Sequence, residues 1–194
     1  METPINATEM IVIGGSAGSL QVIMEMIKNL DESPGFPIVL VVHRKAHSMS
    51  ILPTLLQQFT PMEVIEIEDK TEIQKNKIYI VPADYHLLFE DKMTVSLDSS
   101  EKMNYSRPSI DVTLKSAAET FGETLIGILL SGANADGVEG LKYIKKNNGK
   151  VWIQNPDTAE VDYMPRQAVE QVEYDLLIAP SDLAKIINQL HTLK

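Results

Sequence analysis

Along the chain, apolar positions switch between two spacings, and the switches mark the elements. Ile11 to Ile13 is an unbroken β-branched run that stops at Gly14-Gly15 and continues as Ser16-Ala17-Gly18. From Ser19 the apolar residues fall at Leu20, Ile23, Met24, Ile27 and Leu30, which is helical spacing, until Asp31-Glu32-Ser33-Pro34-Gly35 ends it. Residues 37–42 are continuously apolar and too few to cross a bilayer, so they read as a strand buried on both faces. His43 stands where that strand should end. Residues 49–59 look helical, with Pro53 tolerable only in the first turn.

Residues 62–67 set Val64, Ile65 and Ile67 among Glu63, Glu66 and Glu68, as in a half-exposed strand. Residues 77–81 predict another strand, stopped by Pro82-Ala83-Asp84. Residues 86–89 and 93–97 flank Glu90-Asp91-Lys92 and predict an antiparallel hairpin. Residues 99–107 are polar and predict a loop, before a helix from Ser109 or Ile110 to Phe121, closed by Gly122. Residues 124–130 form the most buried-looking strand, which empties into Ser131-Gly132-Ala133-Asn134-Ala135-Asp136-Gly137. A helix to about Lys146 is stopped by Asn147-Asn148-Gly149. A short strand over 151–153, a loop over 154–163 and a helix over 164–172 follow, with Pro165 in that helix's first turn. A strand over 176–178 and a helix over 180–193 complete the chain. Strands alternating with helices predict an α/β fold: a mostly parallel open sheet with helices on both faces, three-layered and Rossmann-like, with one antiparallel hairpin. No Pro-, Gly- or Ser-rich linker, repeat or low-complexity tract interrupts it, so one domain over 1–194 is expected.

Composition narrows the function classes. The chain has 194 residues, 27 acidic and 17 basic, for a formal net charge of −10. That balance argues against nucleic acid or an anionic membrane surface as the main partner. No secretory signal pattern opens the sequence, and there is no cysteine, which excludes disulfides, thiolate catalysis and thiolate metal sites. A cytoplasmic location is the expectation. The histidines His43, His47, His86 and His191 have no HExxH spacing, and no strong helical pattern covers both His43 and His47. Neither a metal nor a cofactor is expected.

In an open α/β sheet, ligands bind beyond the carboxyl ends of the strands. Ser16, His43 and Asp136 are expected at three such ends. Serine becomes a nucleophile when imidazole takes its proton, and a carboxylate then fixes the imidazole tautomer and stabilises the imidazolium. Glycines beside the serine let a carbonyl approach backbone N–H groups, which serve as oxyanion donors. Each residue also has a structural reading: Ser16 as a helix cap, His43 as a satisfied strand-end residue, Asp136 as a turn aspartate before glycine. Joint placement at three strand ends favours the triad. Gly14-Gly15-Ser16-Ala17-Gly18 also fits the Gly-x-Ser-x-Gly elbow of α/β-hydrolases, but their order is Ser, acid, His, whereas the order here is Ser, His, Asp.

The ordered set of segments resembles the catalytic domain of the chemotaxis protein-glutamate methylesterases, the CheB family. The resemblance rests on Ile13 to Gly18, Val42-His43, Ile78 to Ala83 with His86-Leu87-Leu88, Arg107-Pro108-Ser109-Ile110-Asp111, Gly127 to Gly137 with Gly140-Leu141, and Met164 to Ala168. It implies a parallel sheet between helices and hydrolysis of γ-glutamyl methyl esters on methyl-accepting chemotaxis receptors, with deamidation of receptor glutamines as a second reaction. It implies Ser16 as nucleophile, His43 as general base and Asp136 as orienting carboxylate. Gly15, Ala17 and Ala133 fall at the nucleophile turn and oxyanion site, and Arg44, Arg107 and Met164 at the substrate. The receptors are the implied partners and the only route to a membrane; a CheR-type methyltransferase is a further one. Ala17 stands where the family usually has threonine, and Ala133-Asn134 where it has Met-Gly. Many members begin with a phosphorylatable receiver domain, for which the residues before the first strand leave no room.

Other readings share parts of the pattern. A dinucleotide-binding oxidoreductase also has a glycine turn after its first strand, and Arg44 could face an NADP phosphate. Gly14, Gly15 and Gly18 supply only part of the Gly-x-Gly-x-x-Gly spacing, however. A catalytically weak relative that binds receptors or a methyltransferase without turnover is the non-enzyme reading. Arg44, Lys45 and Arg107 are either solvated surface or a local positive rim that guides an acidic substrate. A guiding rim makes kcat/KM fall with salt.

Overall fold

The first strand forms because every residue from Met10 to Gly15 is buried, and its alternating side chains feed two different cores. Met10 and Val12 face one side of the sheet, with Val39, Val41, Leu125, Leu129, Val151 and Ile153. Ile11 and Ile13 face the other, with Ile38, Leu40, Ile126, Ile128 and Trp152. Full burial of one such side chain stabilises the fold by roughly 1.5–3 kcal/mol, so these two layers outweigh local propensity in fixing the sheet.

A computed structural model of the chain describes residues 7–44 and 51–190. In order, the elements are β1 (Met10–Gly15), α1 (Ser19–Asn29), β2 (Ile38–Val42), α2 (Leu52–Gln57), β3 (Glu63–Glu66) and β4 (Lys77–Ile80). There follow β5 (His86–Phe89), β6 (Val95–Asp98), α3 (Ile110–Phe121), β7 (Leu125–Leu129) and α4 (Val138–Lys146). The chain continues with β8 (Lys150–Gln154), α5 (Tyr163–Gln171), β9 (Leu176–Ile178) and α6 (Pro180–Leu190). Seven strands make one parallel sheet in the order β3-β4-β2-β1-β7-β8-β9. Helices α3, α4 and α5 and the hairpin cover one face; α1, α2 and α6 cover the other. The predicted three-layer α/β arrangement is the observed one.

β1 lies at the centre, between β2 and β7. The sheet is therefore wound outward from β1 in both directions, and the crevice beyond its carboxyl end is the switch point where such folds bind ligands. Gly14 and Gly15 are required there by packing: a Cβ on Gly14 would lie 2.5 Å from Ile110 Cγ2, and one on Gly15 2.5 Å from Ser19 Cβ.

Departures from the expected boundaries have local causes. The hairpin is a separate two-stranded sheet, and β6 begins at Val95 because the Asp91 carboxylate accepts from the N–H groups of Met93 and Thr94, extending the turn. α2 stops at Gln57, where Gln58 and Phe59 turn back to Leu55 and Leu56 through tighter bonds. The expected starts of that helix at 49–50, His47, His191 and the end of the last helix lie outside the described residues.

Candidate active site

Register brings the first two strand ends together. Gly15 pairs with Val42 on the adjacent parallel strand, and the His43 N–H donates to Gly15 O at 3.2 Å. Ser16 and His43 each follow their strand by one residue, so they stand side by side across a strand spacing of about 4.8 Å. β7 flanks β1 on the other side, pairing Gly14 with Leu129, and the loop that leaves it carries Asp136.

Asp136 is held by nearly every hydrogen bond a carboxylate can accept. His43 Nε2 lies 2.7 Å from Oδ2, which also accepts from the Ile110 N–H at 2.7 Å. Oδ1 accepts from the Asp111 N–H at 3.0 Å and from the Ser109 hydroxyl at 3.1 Å, with Asn104 Nδ2 at 3.4 Å. The two backbone donors are the open N–H groups at the start of α3, where the helix dipole favours a negative charge. Burial pushes the Asp136 carboxyl up, but the bonds from His43, Asp111 and Ile110 outweigh it and hold its pKa below the ordinary range. The group is ionised and its side chain has no exposed surface, whereas His43 retains 12%.

An ionised Asp136 carboxylate 2.7 Å from Nε2 accepts a hydrogen bond, so that ring nitrogen carries a proton. Nδ1 is left as the basic atom. The ring is thus turned end for end relative to the familiar serine-protease geometry, in which Nδ1–H meets the aspartate.

The nucleophile turn is pinned through its backbone. Ser16 N–H donates to Ser131 O at 2.9 Å, and Ser16 O accepts from the Ser19 N–H at 3.0 Å and the Ser19 hydroxyl at 2.7 Å. Ser16 is not a helix cap: Gly18, at φ 81°, occupies the cap position of α1, and no side chain caps it. Its own N–H is taken, so oxyanion donors must come from elsewhere. The N–H groups of Ala17 and Ala133 have no backbone acceptor among the described residues, and both residues are exposed. Buried Ser131 closes the turn from behind, its hydroxyl 2.7 Å from Ala17 O while accepting from the Val161 N–H.

The three residues expected at the substrate each have partners within the fold. Arg44 pairs with Glu66 at 3.0 Å and donates to Val81 O. Arg107 pairs with Asp84 at 2.6 Å and donates to the carbonyls of Ser99 and Ser100, so its guanidinium fastens the 99–107 loop. Met164 is fully buried against Gly132, where a Cβ would lie 2.5 Å from its Cε. Lys45 lies outside the described residues.

Sequence reasoning did not single out Asn104, Asp111 or Ser131. Asp111 answers Asp136: its Oδ1 accepts from the N–H groups of Gly137 and Gly140 at the start of α4, and its Oδ2 from Asn104. Burial raises its pKa, and the charge of Asp136 adds to the rise, against the bonds from Gly140 and Gly137. Ser109 is the N-cap of α3, with Val112 N–H on its hydroxyl, and the same hydroxyl donates to Asp136. His86, buried beneath, accepts on Nδ1 from the Ser109 N–H and has Nε2 2.9 Å from Glu101 O. Among the described residues no group of three or more His, Cys, Asp or Glu is arranged to hold a metal, and no helix is long and apolar enough to cross a membrane.

Known proteins resemble this chain in sequence and fold. The family model for CheB methylesterase matches residues 11–187. A Leptospira interrogans protein, provisionally named protein-glutamate methylesterase/protein-glutamine glutaminase, is 40% identical over 182 residues, 94% of each chain. The Thermotoga maritima protein-glutamate methylesterase/protein-glutamine glutaminase is 32% identical over 178 residues, 90% of this chain and 52% of that one. The crystal structure of the Thermotoga maritima CheB methylesterase catalytic domain superposes with a TM-score of 0.90 at 29% identity, covering 95% of this chain and all of the other.

Proposed function

The chain belongs to the CheB methylesterase family, and from that premise we propose that it hydrolyses γ-glutamyl methyl esters on chemoreceptors through Ser16, His43 and Asp136. His43 Nδ1 takes the Ser16 hydroxyl proton as Oγ attacks the ester carbonyl. The N–H groups of Ala17 and Ala133 are the donors we assign to the tetrahedral oxyanion, where one such bond contributes about 3–4 kcal/mol. The proton passes from His43 to the departing methoxide, methanol leaves, and Ser16 remains acylated. Water then attacks with His43 as base, releasing the glutamate carboxylate and restoring Ser16. A receptor glutamine follows the same path with ammonia as the leaving group.

One observation carries this reading: the 2.7 Å bond between His43 Nε2 and an Asp136 carboxylate that α3 keeps ionised, beside the strand end that bears Ser16. A residue serving only as strand-end filler needs no buried carboxylate. The oxidoreductase reading loses its anchor, since Arg44 is engaged by Glu66. In this proposal the receptors are the partners, a methyltransferase restores the esters that this chain removes, the reaction is cytoplasmic, and residues 1–194 act as one catalytic domain. Neither metal nor cofactor takes part.

The test is methanol release from methylated receptor by wild type and by Ser16→Ala. Loss of the nucleophile should lower the rate on the order of 10⁴–10⁶-fold. Equal, background-level release by both proteins would overturn the assignment.

A further inference from the structure

Among the described residues, the Met103–Ser106 turn combines strain, exposure and contact with the triad. Met103 and Ser106 exchange both backbone hydrogen bonds, Met103 N–H to Ser106 O at 3.1 Å and Ser106 N–H to Met103 O at 2.9 Å. Between them Asn104 and Tyr105 have φ of 53° and 62°. Two left-handed residues in a two-residue turn are the pattern that Asn-Gly ordinarily supplies. Asparagine fits the first position, but an aromatic residue stands at the second, where its Cβ is disfavoured.

Among the described residues nothing packs on Tyr105 to compensate for that choice. Tyr105 is 99% exposed, and Met103 beside it is 48% exposed. The base of the loop, in contrast, is fastened throughout. Arg107 holds the carbonyls of Ser99 and Ser100, Glu101 O meets His86, and Asn104 Nδ2 reaches both Asp111 and Asp136. Tyr105 therefore projects into solvent from a rigid support, one residue beyond a side chain that touches the triad carboxylate. Strained backbone that is over-determined by its surroundings and presents an exposed aromatic is a mark of a contact made with something else.

Resting on the methylesterase reading above, we infer that Tyr105 is a specificity-determining residue that packs on the polypeptide flanking the reacting glutamyl ester. Asn104 is the positioning residue that fixes the turn to the site. A protein substrate must bring its backbone over the crevice to present an ester to Ser16, and the exposed ring, with two apolar faces and a polar tip, follows directly on Asn104, whose amide touches Asp136. A small ester enters the crevice without reaching it.

Tyr105→Gly tests this directly, because it removes the ring and gives the turn the residue it favours. The readout is the ratio of kcat/KM for a methylated receptor fragment to kcat/KM for p-nitrophenyl acetate, together with Tm. The expected result is a ratio lowered by about tenfold or more, as for loss of an aromatic anchor, with Tm at or above wild type. Tyr105→Phe should keep the ratio within about twofold of wild type. A Tyr105→Gly ratio within about twofold of wild type would overturn the inference. So would a lowered Tm with both rates reduced together, because the ring would then be structural. A wild type that turns over p-nitrophenyl acetate but releases no methanol from receptor defeats the methylesterase reading, and this assignment with it.

Discussion

At the residue scale, two buried carboxylates with opposite electrostatics divide the work. Asp136 receives its bonds from His43 and from the first turn of α3 and stays ionised, while burial raises Asp111. Asp136→Asn keeps the shape but removes the charge that sets the His43 tautomer. We expect kcat to fall on the order of 10⁴-fold, as tautomer loss does in other triads, measured as methanol release. The pH dependence of stability follows the same division. The folded pKa of Asp136 is depressed, so its contribution is present above the ordinary carboxylate pKa and disappears as pH falls through the depressed value. The folded pKa of Asp111 is raised, so its contribution is full in acid and is lost as pH rises through the raised value. Urea midpoints followed from pH 7 into the acid range should therefore decline less for Asp136→Asn than for wild type.

At the element scale, α3 and α4 are tied by an exchange of carboxylates across their N-termini. Asp136, in the loop before α4, receives the first N–H groups of α3; Asp111, in the first turn of α3, receives those of Gly137 and Gly140. This reciprocal capping needs the helices close, and Gly140 permits it: a Cβ there would lie 2.6 Å from Leu114 Cβ and 3.2 Å from Asp111 Cα. Gly140→Ala should accordingly cost about 1–3 kcal/mol, read as a lower urea midpoint at unchanged slope. Asp111→Ala leaves two buried N–H groups unpaired and should lose about 1–3 kcal/mol for each group that water does not reach. Asp111→Asn keeps an acceptor oxygen without the charge. At pH 7 it should unfold at the same or higher urea concentration than wild type, since burial already opposes that charge.

At the scale of the whole molecule, net charge meets an acidic substrate. The sequence left Arg44, Lys45 and Arg107 as either solvated surface or a rim that offsets the −10 charge locally; Lys45 lies outside the described residues, and the other two are each paired with a carboxylate, Arg44 with Glu66 and Arg107 with Asp84. The long-range field is therefore set by the excess of acid. kcat/KM for a methylated, glutamate-rich receptor fragment should rise between about 10 and 150 mM salt, as the Debye length shrinks from roughly 30 to 8 Å. The neutral p-nitrophenyl acetate should show a flat profile. A falling profile with the receptor would restore the guiding rim.

The order of strands and helices was legible in the sequence because buried parallel strands and amphipathic helices carry different periods, as Ile11 to Ile13 and Leu20 to Leu30 do. The three triad candidates were legible because each follows an apolar run. What they touch was not. The sequence does not say that His43 meets Asp136 through Nε2, because that depends on how far the β7–α4 loop swings over the start of α3. Nor does it show that Arg107 holds Ser99 and Ser100, or that Asn104 reaches a carboxylate 32 positions away. Periodicity records which face of an element is apolar, a local property of solvent exposure. Hydrogen-bond partners and charge pairings are set by how those elements converge, and only the packed sheet and helices decide that.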